Sequence, residues 1–175
     1  MVTYVALLHS IALGPGKRLM MADLRALAEK LGFREPRTLV ATGNLVFEAG
    51  AAPVAGIEAR LEAAFSDRFG KHVDIIVRDA EAFLRLAAGN PFPEGEGAEV
   101  GVRVMRMPLG PDVLPMLEKF AAPPIRMALV DGDLWIDFAG KASETRLLAH
   151  LTTKKLGVGT LRNANTIAGL ARMLE

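Results

Sequence analysis

The chain has 175 residues, no cysteine, 21 Lys and Arg against 20 Asp and Glu, and a hydrophobic fraction of 51%. Those figures suit one ordinary domain or two small ones, and they exclude a disulfide framework, thiolate catalysis, iron–sulfur clusters and cysteine-ligated zinc. Charge is balanced in both halves, with 11 basic and 10 acidic residues up to Gly89 and 10 of each after it, which argues against a grip on a nucleic-acid backbone.

"MVTYVALLHS" has no basic leader, and no later stretch reaches the roughly 18 apolar residues of a membrane span, so the expected address is cytoplasmic, without a membrane partner. The run "TYVALL" is β-branched, aromatic and apolar, as in a buried strand. A Gly-Pro-Gly loop follows it. Leu24, Leu27 and Leu31 then recur at helical spacing, and Gly32 stands where a helix ends. "RTLVA" and "NLVFEA" flank Thr-Gly-Asn as a hairpin, Ile57, Leu61 and Phe65 mark a second helix, and "HVDIIV" is a fourth strand.

A bridging helix over residues 79–88 and the loop "GNPFPEGEG" lead to what reads as a repeat of the same order. "VGVRVMRM" is its first strand and residues 113–120 its first helix, stopped by Pro123 and Pro124. "IRMALV" and "LWIDF" form a hairpin around Asp131-Gly132, a strong short-range hairpin signal. Ser143 is placed to cap a helix bearing Leu147, Leu148 and Leu151, "VGTL" closes the sheet, and Ile167, Leu170, Ala171 and Leu174 form the stripe of a terminal helix. The fold class expected is α+β: two tandem ferredoxin-like βαββαβ plaits with antiparallel sheets plus a C-terminal helix. The first plait takes residues 1–78, the bridge 79–99, and the second plait with the terminal helix 100–175.

In such a plait the first strand-to-helix loop and the central hairpin lie at one end, so His9, Gly14, Gly16 and Lys17 would neighbour Thr42, Gly43 and Asn44. Glycines and a lysine between strand and helix can receive an anion on backbone N–H groups, although neither the Walker spacing nor G-x-G-x-x-G is met. Tight turns explain the same residue types. His9 and Ser10 point to opposite faces of a strand and make no nucleophile–base pair. No two of His9, His72 and His150 have a metal-ligand spacing, and Asp131, Asp133 and Asp137 lack a calcium-loop glutamate, so neither a metal nor another cofactor is expected. Tyr4, Phe47, Trp135 and Phe138 read as core rather than as base-stacking aromatics. In "TLRNANTIAGL", Asn163 or Asn165 can cap the last helix, while Arg162 either binds an anion there or ties the helix to another element.

The run from Tyr4 to Ala49, the middle "NPFPE" and the C-terminal "TLRNANTIAGL" together resemble the bacterial family known as domain of unknown function 1697. Lys17, Met21, Leu24, Gly32, Gly43, Asn44, Phe47, Arg162, Asn163, Asn165 and Thr166 match its pattern, whereas His9, Ser10, Ala12 and Ala164 replace its arginine, glycine, asparagine and tryptophan. The resemblance implies a duplicated α+β plait and no particular activity. The sequence thus supports a non-catalytic binder of a small phosphate- or nucleotide-like anion, with His9, Lys17, Thr42, Asn44 and Arg162 as polar contacts. Two alternatives stand beside it: an enzyme on a phosphorylated or nucleotide substrate using His9, and an interaction module that forms a homodimer through an open sheet edge.

Overall fold

A computed structural model describes residues 1–175, and contact between its parts divides them into two units: Met1–Arg85 with Gly169–Glu175, and Leu86–Ala168. The architecture is α+β with antiparallel sheets and six α-helices, none long and apolar enough to cross a membrane.

The first unit opens with β1 (Val2–Leu8), whose apolar run is buried on both faces from Tyr4 to Leu8. A small hairpin of β2 (Ala12–Gly14) and β3 (Lys17–Arg18) occupies what reads in sequence as a loop. Helix α1 (Met21–Lys30) follows, then β4 (Arg34–Thr38), β5 (Asn44–Ala49), α2 (Val54–Phe69), β6 (Ile75–Asp79) and α3 (Ala80–Ala88). The sheet runs β4-β5-β1-β6, every pairing antiparallel. Leu24 and Leu27 of α1 and Ile57, Leu61 and Phe65 of α2 fall on one helical face each, and they share a core with Tyr4, Ala6, Leu8, Leu45, Phe47, Ile75 and Val77. Phe47 stacks on Phe33 at 4.5 Å and on Tyr4 at 5.8 Å between ring centroids. Burying one such side chain contributes about 1.5–3 kcal/mol, so this aromatic layer is a main support of the unit. β4 begins upstream of the expected "RTLVA" and stops at Thr38, two residues before Val40, whose backbone is left-handed (φ 48°).

The second unit carries β7 (Val100–Met105), α4 (Val113–Glu118), β8 (Arg126–Val130), β9 (Asp133–Asp137), α5 (Thr153–Leu156), β10 (Gly159–Asn163) and the start of α6 (Ala164–Met173). Its sheet runs β10-β7-β9-β8, again antiparallel. Asp131 (φ 51°) and Gly132 (φ 85°) both have positive φ, the backbone that suits a two-residue hairpin turn between β8 and β9. The expected long helix after Ser143 is absent. Two short 3-10 turns, Ala142–Glu144 and Leu147–His150, precede α5 instead. The chain is extended at Thr145 and again at Thr152, and it is Thr152, not Ser143, whose hydroxyl caps a helix by accepting the Lys155 N–H at 3.3 Å. The apolar spacing still does its work: Leu147, Leu151 and Leu156 cover Met105, Leu134, Ile136 and Phe138.

Candidate functional site

Alternation of strand and helix direction brings three connections of the first unit to one end of its sheet. They are residues 9–20 after β1, 39–43 between β4 and β5, and 70–74 between α2 and β6. Backbone bonds lace them together: Leu8 N–H donates to the Gly43 carbonyl and His9 N–H to the Asp74 carbonyl, both at 2.9 Å. The Lys71 ammonium donates to the Ala12 carbonyl, fastening the β2–β3 hairpin to the loop before β6. Lys17, Arg18, Lys71 and His72 are exposed and His9 is half-buried, so this end is rich in cationic and titratable groups.

The sequence-derived candidates behave differently from one another within it. Gly14, Gly16 and Lys17 form the tip of the β2–β3 hairpin and do not lead straight into α1, whose first turn holds Asp23. An anion there would meet hairpin N–H groups and Lys17 rather than a helix N-terminus. Asn44 is fully buried, and its amide donates to the Leu39 carbonyl at 2.9 Å and the Thr42 hydroxyl at 2.8 Å, holding the loop shape. Gly43 has φ 85°, and a Cβ there would lie 2.9 Å from both Leu8 Cβ and Ile11 Cγ2. Gly43→Ala is therefore expected to cost about 2 kcal/mol from left-handed strain and crowding, read as a lowered urea midpoint.

Arg162, Asn163 and Asn165 belong to the second unit. Arg162 is buried, and its Nη1 donates to Thr160 Oγ1 at 2.8 Å and to the Leu161 carbonyl at 3.1 Å. Burial pushes its guanidinium down to about 10, which leaves it charged at neutral pH. Asn163 caps α6: its Oδ1 accepts the Thr166 N–H at 2.9 Å. Asn165 N–H donates to the Gly97 carbonyl at 3.3 Å, and the Asn165 side chain sits where a Cβ on Gly97 would be. The Asn165 bond ties the start of α6 to the loop before β7, whereas these Arg162 bonds lie within β10.

A family model described as a protein of unknown function, DUF1697, matches residues 1–135. The chain belongs to this family. The matched span contains every first-unit candidate and stops short of Arg162, Asn163 and Asn165. The structure is also similar to that of the conserved bacterial protein SP0830 from Streptococcus pneumoniae, with a TM-score of 0.76 over 99% of each chain at 22% identity. No curated protein matches. The family carries no stated activity and the structural likeness shows the fold, so the chemistry rests on the residues themselves.

Two further features were not anticipated. A solvent-open groove of about 500 Å3 runs between α1 and α2, lined among others by Asp23, Leu27, Lys30, Ala64, Asp67 and Arg68, and it contains none of the sequence-derived candidates. At the loop end, His72 Nε2 lies 2.8 Å from Asp74 Oδ1, and Glu62 of α2 reaches the same place. The His-x-Asp spacing was the available signal; Glu62, on a separate helix, gave none. The aromatics Tyr4, Phe47, Trp135 and Phe138 are all buried, so none of them is a stacking platform for bases.

Proposed function

We propose that the protein binds a small anionic ligand, phosphate- or carboxylate-like, at the loop end of the first unit, without catalysis, through Lys17 and His9 with Lys71 and Arg18 alongside. The observation that carries this is the Lys71 contact to Ala12, which fastens a glycine-tipped basic hairpin beside the His9 strand end. Backbone N–H groups at Gly14 and Gly16 and the exposed Thr42 hydroxyl complete a donor-rich surface. Asn44 and Gly43 shape that surface from below. Arg162, Asn163 and Asn165 serve as the terminal tie and are no part of the ligand site in this reading. We further propose that residues 1–78 and 100–175, joined by 79–99, are two copies of one ferredoxin-like plait. Its support is the shared strand order: in each sheet the fourth strand lies beside the first, then the third, then the second.

The dimerising alternative draws less support, because edge strand β4 carries Arg34, Glu35, Pro36 and Arg37 and a register shift, features that discourage pairing with another chain. The test is a thermal-shift titration with inorganic phosphate, citrate and adenosine monophosphate. A ligand at about 100 times its dissociation constant adds roughly 2.7 kcal/mol, several degrees for a protein of this size. Stabilisation by one of these anions, abolished in Lys17→Ala and retained in Arg162→Lys, is the expected result. No shift with any of them overturns the reading.

A further inference from the structure

We propose that Glu62, His72 and Asp74 bind a zinc ion at the loop end of the first unit. One ligand atom from each lies within 4.8 Å of the others. Two of them come from a single short segment: His72 and Asp74 are two residues apart in the run leading into β6, and their side chains meet at 2.8 Å. Ligands about 2.0–2.2 Å from a tetrahedral zinc sit roughly 3.3 Å apart, so this pair needs to open by only about half an ångström. The third ligand comes from α2, where Glu62 Oε2 accepts the Ile75 N–H at 3.0 Å. That bond orients the carboxylate before any cation arrives, as outer-shell hydrogen bonds do in metal sites.

The three side chains are open to an incoming ion. The His72 side chain is 64% exposed and that of Asp74 23%, which leaves an approach from solvent and room for water to complete the coordination. Lys71, the adjacent ammonium, is directed onto the Ala12 carbonyl. One imidazole with two carboxylates is a borderline-to-hard donor set that zinc accepts without a thiolate, in keeping with a chain that has no cysteine. The inference does not depend on anion binding, since none of its three ligands is among the proposed anion contacts.

The experiment is calorimetric titration of the full-length protein with zinc chloride, repeated with cobalt(II) followed by its visible spectrum. The expected result is one ion per chain, with affinity reduced about tenfold or more in His72→Ala, in Asp74→Asn and in Glu62→Gln, and a cobalt spectrum that changes with each substitution. Glu62→Gln keeps an amide oxygen for the Ile75 N–H, and the exposed His72→Ala supplies a variant that leaves the core untouched. Zinc binding at unchanged affinity in His72→Ala and Asp74→Asn overturns the proposal, as does the absence of saturable binding in the parent protein. A protein that takes up zinc but shows no response to phosphate, citrate or adenosine monophosphate retains this site and loses only the anion reading.

Discussion

Arg103→Ala is expected to lower the stability of the second unit by about 4 kcal/mol, from lost packing and two orphaned carbonyls. Arg103 lies on β7 and is 1% exposed, yet its guanidinium donates to carbonyl oxygens only: Nη1 to Leu151 at 3.2 Å and Nη2 to Gly157 at 3.0 Å. Burial holds it below the usual arginine range. Its acceptors explain its position. Leu151 ends the second 3-10 turn and Gly157 ends α5, so the positive fork sits at the C-terminal ends of two helical turns, where carbonyls carry partial negative charge. The segment that fails to form one continuous helix is held together by this arginine. Truncation to alanine removes the donors and leaves a void; Arg103→Met retains the stem and is expected to cost about half as much. The single tryptophan, Trp135, is fully buried in the same unit, so its fluorescence during urea unfolding reports both variants. A loss under about 1 kcal/mol in Arg103→Ala would mean that water satisfies those carbonyls once the arginine is gone.

Gly132→Ala is expected to cost about 3 kcal/mol, left-handed strain and crowding adding together. Gly132 has φ 85°, and a Cβ there would fall 2.4 Å from Pro108 Cβ and 2.7 Å from Pro108 Cα. The obstruction includes backbone, and that backbone is fixed because Leu109 N–H donates to the Gly132 carbonyl at 2.9 Å. The β8–β9 turn and the loop after β7 are thus pressed together at a point only glycine fits. Gly110→Ala is the matched control: no atom lies within 4 Å of its added Cβ and its φ is not positive, so its urea midpoint should stay close to the parent's. Equal behaviour of the two variants would show that Pro108 yields without cost.

Much of this frame was readable from the chain. Leucines at intervals of three and four defined α1, Ile57, Leu61 and Phe65 at intervals of four defined α2, and Asp131-Gly132 marked a turn that positive φ at both residues bears out. Asn163 proved to be the cap of α6, one of two asparagines eligible for the role. What stayed hidden depended on tertiary contact. Leu147, Leu148 and Leu151 have helical spacing, but spacing reports which side faces the core and not whether the turns join, and here Arg103 satisfies the broken ends from another element. The β2–β3 hairpin was masked by its two-residue strand and by glycines that suit loop and turn equally. The grouping of Glu62 with His72 and Asp74 was invisible because a helix residue carries no mark of the loop it will face.

The last seven residues, Gly169–Glu175, belong with the first unit although the whole second unit precedes them in the chain. Gly169 packs so close to Leu39 that an added Cβ would lie 2.8 Å from its Cδ2. During synthesis the N-terminal portion therefore emerges, and can collapse, long before its final segment exists. Closing a contact across the whole second unit carries more loop entropy and a slower search than the local contacts of the first unit, so this step comes late in folding. A chain truncated after residue 168 would carry a first unit without Gly169–Glu175 and with Leu39 uncovered where Gly169 packs.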